Sequence, residues 1–182
     1  SPEDFKSSER IPFVAAARGI AVGYETPFND LFERVIKDKY DFTSENQRIE
    51  TKSSTSKIRR HHFSLEQLNP NMGIKVLIAS MFVDRIGSGT SLVELAAPVR
   101  LKIKDPELLL YLAHMIGLTL GSNWRSAAKD RFDYQLAKKA LAFYSSEVVP
   151  CINSDLPKSI TDVHFKVDLS DTPVIDKKRS EF

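Results

Sequence analysis

The carboxylates with the most suggestive spacing are Asp84 and Glu94, which lie on either side of the turn-forming stretch GSGT at residues 87–90. If the flanking segments pair as a hairpin, the two acids face each other, and such a pair can hold a divalent metal ion or share a proton. A nuclease-type set would also place a lysine two residues after the second acid, where this chain has Ala96. A metal-dependent hydrolase that uses Asp84 and Glu94 is therefore the weakest hypothesis. Alternatively, both acids are ordinary side chains that face solvent from a strand.

Other catalytic signatures are missing from the sequence. It contains no GxSxG nucleophile elbow, no GxxxxGK[ST] phosphate loop and no HExxH metal motif. Its four histidines and single cysteine do not have the spacing of a zinc site. We therefore expect no catalytic residue, no metal ion and no cofactor.

Basic side chains are concentrated in the polar segment at residues 43–62, TSENQRIETKSSTSKIRRHH. The segment could be a flexible arm that binds phosphates, a solvated loop, or a polar hairpin in which residues 48–52 pair with residues 57–61. It contributes six candidate nucleic-acid contacts, Lys52, Lys57, Arg59, Arg60, His61 and His62.

Two predicted elements carry further cations. A strand over Leu92–Lys104 would place alternate basic side chains on one face, along about 13 Å at ~3.3 Å per residue. A long helix would align two more on one stripe. These candidates are Arg100, Lys102, Lys104, Arg131 and Lys138. Because the net charge is only +2, nucleic-acid binding would depend on such clusters, and each cluster alone is also typical of solvated surface.

The leading functional hypothesis is a non-enzymatic intracellular protein that contacts the phosphates of RNA or other single strands, with a structural or assembly role. The alternative is a protein–protein or homo-oligomerising module that uses the Leu-rich helix 108–120, which is too short for an integral membrane segment. Cys151 is the only cysteine, which excludes an intrachain disulfide and favours the cytoplasm or nucleus.

The order of elements predicts an α+β fold, since like elements follow one another instead of alternating regularly. We expect one domain over residues 1–182, or a piece of a longer protein, with a flexible loop at 43–62 and loose termini at 1–10 and 170–182. The expected elements are an antiparallel sheet formed by a hairpin at 74–104 and a strand at 160–169, a central apolar helix at 106–120 and a long helix at 124–148.

Overall fold

The computed structural model describes residues 40–43, 47–107, 109–110, 113–114, 129–152, 156–157 and 159–175. The strands are β1 (Phe42–Thr43), β2 (Gln47–Ser54), β3 (Arg60–Ser64), β4 (Lys75–Phe82), β5 (Arg85–Ser91), β6 (Arg131–Phe132), β7 (Ala142–Ser145) and β8 (His164–Asp168). The helices are α1 (Leu65–Leu68), α2 (Leu92–Lys102) and α3 (Tyr134–Ala140). Among the described residues, no helix is both long and apolar enough to cross a membrane.

The main sheet has four strands in the order β1-β2-β4-β7. Strand β4, KVLIASMF, is apolar along its length and buried on both faces, as a central strand requires. It pairs in parallel with β2 from Gln47↔Lys75 to Ser54↔Phe82, and in antiparallel with β7. Strand β1 pairs in antiparallel with the other edge of β2.

A two-stranded ribbon of β3 and β8 covers one face of this sheet. Its antiparallel register runs from Arg60↔Asp168 to Ser64↔His164. Phe63 and Val167 point inward, in the same apolar cluster as Ile78 of β4. Side chains alternate between the two faces of a strand, and Ile78 lies on the face of β4 that is turned towards the ribbon. The ribbon therefore covers this face of β2 and β4.

The helices α2 and α3 pack with the opposite set of β4 side chains. A second apolar cluster joins Met81 at the end of β4 to Leu95 of α2 and Ala137 of α3. Strand β6 contributes Phe132 to the same cluster and pairs with β5. The sheet is therefore covered by different elements on its two faces.

The α+β class is confirmed, and all the strand pairs except β2–β4 are antiparallel in the described residues. The hairpin at 74–104 is wrong, because its expected return strand is helix α2. Ser91 and Glu94 form a capping box: the Ser91 hydroxyl accepts from the Glu94 amide and the Glu94 carboxylate accepts from the Ser91 amide. That local signal outweighs the alternation of apolar residues.

The long helix at 124–148 is also wrong, because β6, α3 and β7 occupy residues 131–145. The expected strand at 160–169 is present as β8. Within the expected helix 106–120, residues 106–107, 109–110 and 113–114 are helical, and the rest lies outside the described residues. The termini 1–10 and 176–182 lie outside them too.

The polar segment 43–62 is mainly strand. Strands β2 and β3 occupy most of it, so the flexible loop is corrected. The hairpin interpretation also fails, because β2 pairs with β4 and β3 pairs with β8. Tertiary pairing gives order to a sequence whose composition indicated a loop.

Arg59 is one of the expected phosphate contacts, but its guanidinium holds the fold together. It donates to the carbonyl of Ser80 at 2.9 Å, to the hydroxyl of Ser80 at 2.8 Å and to the carbonyl of Ala140. It also lies 4.5 Å from the centroid of the Phe82 ring. These contacts fasten the start of the ribbon to the central strand and to the end of α3.

We expect Arg59→Ala to lower the free energy of unfolding by about 2–3 kcal/mol, because it leaves partly buried acceptors without their charged donor. Urea unfolding followed by circular dichroism measures this. Lys57→Ala, in the exposed turn two residues earlier, is the control and should change stability by less than about 0.5 kcal/mol. Equal losses for the two variants would contradict the structural role.

Candidate active site

Two carboxylates come together where β1 meets β2. The register of Phe42↔Ile49 and Thr43↔Arg48 places Asp41 opposite Glu50. A carboxylate oxygen of Asp41 accepts from the backbone amide of Thr51 at 2.7 Å and from the Thr51 hydroxyl. Burial raises the pKa of Asp41, and the hydrogen bonds from Thr51 offset part of that rise.

Glu50 lies deeper in the structure, at only 5% exposure. Its Oε1 is 2.7 Å from the Lys52 ammonium and accepts from the Gln67 amide at 2.7 Å. Burial, the largest cause, and the charge of Asp41 raise the pKa of Glu50, while Lys52 and Gln67 lower it in part. The net result is a pKa of about 7. Burial and the neighbouring aspartate therefore disfavour the ionised form of Glu50.

Gln67 links the acid to the lysine. Its carbonyl oxygen accepts from the Ser64 amide at 3.1 Å and from Lys52 at 3.3 Å, so its NH₂ group points at Glu50. Ser64 is the residue before α1, so the capping of this helix also fixes the amide orientation. The Lys52 ammonium lies 5.0 Å from the centroid of the Phe63 ring.

His61 lies behind this cluster and has 3% exposure. Its Nε2 is 2.8 Å from the hydroxyl of Ser80, and its ring meets the Phe63 ring edge-on. Burial, the largest cause, and the charges of Lys52 and Arg59 lower the pKa of His61, while a backbone hydrogen bond with Ser53 and the charge of Asp168 raise it in part. The net result is a pKa of about 4. The neutral imidazole therefore packs beside Lys52 without adding a second positive charge.

The structure distributes the predicted nucleic-acid contacts over several elements. Lys52 belongs to the carboxylate cluster, while Arg59 and His61 both make hydrogen bonds to Ser80 within the fold. Exposed candidates are Lys57, Arg60, His62, Arg100, Lys104 and Lys138, and the side chain of Lys102 lies outside the described part. The row of Arg100, Lys102 and Lys104 does not form, because residues 92–102 are helical.

Arg131 and Glu94 pair with each other instead of joining a site. The Arg131 guanidinium lies 3.0 Å from the Glu94 carboxylate and its Nε donates to the Gly89 carbonyl at 2.7 Å. Glu94 also caps α2, and Asp84 is exposed after β4. The described carboxylates that come together are therefore Asp41 and Glu50, and the weak hypothesis of a site at Asp84 and Glu94 is not supported, since Glu94 pairs with Arg131.

The sequence prediction included Lys52 as a phosphate contact but missed Glu50 and the acid–x–lysine spacing of residues 50–52, which is the spacing that is absent after Glu94. The signal was available, but it lay inside a segment whose composition indicated a loop. The nearby Asp41 lacks any sequence cue to its partner, because only strand pairing joins it to Glu50. Position in the fold, more than residue type, identifies the cluster.

The donor set fits a hard divalent cation. Carboxylate oxygens are the ligands that Mg²⁺ and Mn²⁺ prefer, and Mg²⁺ keeps several waters when one or two carboxylates hold it. Burial raises the pKa of both acids, and a cation bound between them would stabilise their ionised forms. No group of three or more His, Cys, Asp or Glu that could hold a metal is found among the described residues, so the fit rests on two acids.

One family model matches the chain: "Putative PD-(D/E)XK family member, (DUF4420)", over residues 34–170. No curated protein and no solved structure matches significantly. The family match contradicts the expectation of a non-enzymatic structural protein and favours the hydrolase hypothesis, although at other residues. The oligomer hypothesis rests on the helix 108–120, most of which lies outside the described residues.

The raised pKa of Glu50 makes stability depend on pH. Its pKa of about 7 in the folded protein exceeds the ordinary 4.5, so the contribution to stability is full below pH 4.5 and is lost as the pH rises through about 7. In metal-free buffer, the free energy of unfolding of Glu50→Gln relative to that of wild type should rise by roughly 3 kcal/mol as the pH increases from about 4.5 to about 8. Urea unfolding at several pH values measures the difference.

The exposed Glu147 provides the matched control, because Glu147→Gln removes the same charge from the surface. Because this side chain is exposed, the free energy of unfolding of Glu147→Gln should stay within about 0.5 kcal/mol of wild type. A flat profile for Glu50→Gln as well would show that Glu50 ionises normally in the folded protein.

Proposed function

Because the chain belongs to the family of PD-(D/E)XK proteins that this model describes, we propose that it is a metal-dependent nuclease with its active site at Asp41, Glu50 and Lys52. The observation that carries the proposal is the contact of Glu50 with Lys52 at 2.7 Å, beside an aspartate on the neighbouring strand. The family name spells acid–x–lysine, which Glu50-Thr51-Lys52 reproduces. The residue before Asp41 is Tyr40 and not proline, so that half of the motif departs from the name.

Asp41 and Glu50 would hold Mg²⁺ or Mn²⁺ through their carboxylates. When bound, such an ion stabilises charge on the phosphate and lowers the pKa of a coordinated water. Thr51 positions Asp41 through two hydrogen bonds, and Gln67 positions Glu50 through one. Because the pKa of Glu50 is about 7, the site should gain affinity for the cation as the pH rises through neutrality.

Lys52 supplies the positive charge on the protein side. Its side chain is 17% exposed, so it can exchange the Glu50 carboxylate for a phosphate oxygen with little rearrangement. There it neutralises the charge that develops as the phosphodiester is cleaved. Among the residues that the structure describes, Lys52 is the cation in contact with Glu50, and the neutral His61 and the Phe63 ring lie beside it.

The basic residues predicted a nucleic-acid partner, and in this proposal the nucleic acid is the substrate of the protein instead of a structural partner. Its phosphodiester is common to RNA, single-stranded DNA and duplex DNA, and the cluster of Asp41, Glu50 and Lys52 contains no group that selects among them. The single thiol at Cys151 keeps an intracellular location as part of the proposal.

Asp41→Asn, Glu50→Gln and Lys52→Ala should each lower cleavage at least about 100-fold, since each removes a group that stabilises the charged transition state. Gel assays with labelled RNA, single-stranded DNA and duplex DNA in Mg²⁺ or Mn²⁺ measure this, and a chelator should abolish cleavage. Calorimetry should show weaker Mn²⁺ binding for the two acid variants. Asp84→Asn is the matched control and should keep full activity; loss there instead would move the site back to Asp84.

Gln67→Met should shift the pH at which cleavage is half-maximal upwards by about one unit. The change removes a hydrogen bond to the ionised form of Glu50, and one such bond is worth about 1–1.5 kcal/mol. Activity should recover at high pH, which a merely destabilised protein would not show. Gln135→Met, at an exposed position of α3, is the control and should leave the profile unchanged; an equal loss of Gln67→Met activity at every pH would contradict the positioning role.

A further inference from the structure

The ribbon of β3 and β8 has two different faces. Alternate residues point inward, including the buried His61 and Val167. The residues between them point to solvent: His62 and Lys166 form a cross-strand pair, and Arg60 pairs in the same register with Asp168. We call the outward side, residues 60, 62, 164, 166 and 168 together with Lys57 in the preceding turn, the ribbon face.

Three basic side chains on the ribbon face, two lysines and one histidine, have no acidic partner among the described residues. The carboxylate of Asp168 is fully engaged, with one oxygen 3.0 Å from Arg60 and the other accepting from the amide and hydroxyl of Ser170. Asp162 pairs with His164 at 2.8 Å. Within the described residues, no acid pairs with the remaining side chains, which are Lys57, His62 and Lys166.

Strand β3 connects the ribbon face to the candidate active site along the chain. Strand β3 ends at Ser64 and continues into α1, whose Gln67 contacts both Glu50 and Lys52. The inward neighbour Phe63 lies under the Lys52 ammonium. The five residues of β3 extend about 14 Å away from this point at ~3.4 Å per residue, so a polyanion leaving the site can follow the cations outward.

From this juxtaposition, and resting on the proposed nuclease function, we propose that the ribbon face binds the phosphate backbone of the substrate beside the bond that is cleaved. The occupant is a nucleic-acid strand, because unpaired lysines in line with a site for phosphodiester cleavage complement its charge. Lys57 and Lys166 neutralise phosphates and read no base. The contact adds affinity and leaves the chemical step unchanged.

The test compares two double variants in the inactive Glu50→Gln protein. Lys57→Gln/Lys166→Gln removes two charges from the ribbon face. Lys138→Gln/Lys139→Gln removes two exposed charges from α3, which packs on the opposite side of the sheet. Fluorescence anisotropy with a labelled oligonucleotide, single-stranded and duplex, gives the dissociation constant across a salt series in chelator.

We expect the ribbon variant to bind at least about tenfold more weakly at low salt. Its plot of log affinity against log salt should be shallower by about 1.4 units on single strands or about 1.8 on duplex, since each phosphate contact contributes about 0.7 or 0.9. The α3 variant should match its parent. Equal losses of nucleic-acid affinity in the two variants, or no loss in either, overturn the proposal. The same holds if the ribbon variant keeps its affinity for nucleic acid and loses affinity only for an acidic protein.

Cleavage assays separate this proposal from the proposed function. With Glu50 restored, the ribbon variant should raise KM about tenfold and keep kcat. If wild type binds through the ribbon face but never cleaves, the nuclease assignment fails and the binding surface stands. If wild type cleaves and the ribbon variant has an unchanged KM, the ribbon proposal fails and the nuclease assignment stands.

Discussion

The parallel pairing of β2 with β4 is the constraint on which the rest of the structure depends. It runs the length of both strands and sets Glu50 beside Ile78 and Lys52 beside Ser80, two residues that are fully buried. A polar strand is thereby drawn into the interior, where its acid and its lysine have few partners other than each other. The ribbon and α1, with its Gln67, then supply the contacts and hydrogen bonds that the polar groups of Glu50 and Lys52 need.

Burial has opposite effects on the ionisable groups around this strand, and those effects are complementary. It raises the pKa of Asp41 and Glu50 and lowers that of His61, so the acids hold protons more tightly while the imidazole gives its proton up. In the proposed site, a divalent ion would stabilise the ionised forms of the two acids, which burial disfavours. Burial of ionisable groups lowers the stability of the folded protein, and such groups are common at functional sites.

The sequence allowed the α+β class, β4 and β8 to be predicted, because apolar runs and clean alternation report burial directly. It misled at Leu92–Lys104, where alternating residues suggested a strand and the capping pair of Ser91 and Glu94 made a helix. It misled most at β2, whose single large apolar residue is Ile49 and whose order comes from long-range pairing. The acid–x–lysine spacing was present in the sequence, but the burial of Glu50 and its position opposite Asp41 follow from tertiary structure alone.

The register of the ribbon joins distant parts of the chain, since Arg60 and its partner Asp168 are 108 positions apart. During synthesis the N-terminal segments leave the ribosome first, so β2, β3 and α1 emerge long before the strand that covers them. Until β8 is made, Phe63 and His61 have no partner strand, and the cover over Lys52 is incomplete. The order of synthesis thus delays assembly of the proposed active site until nearly the whole described chain has been translated.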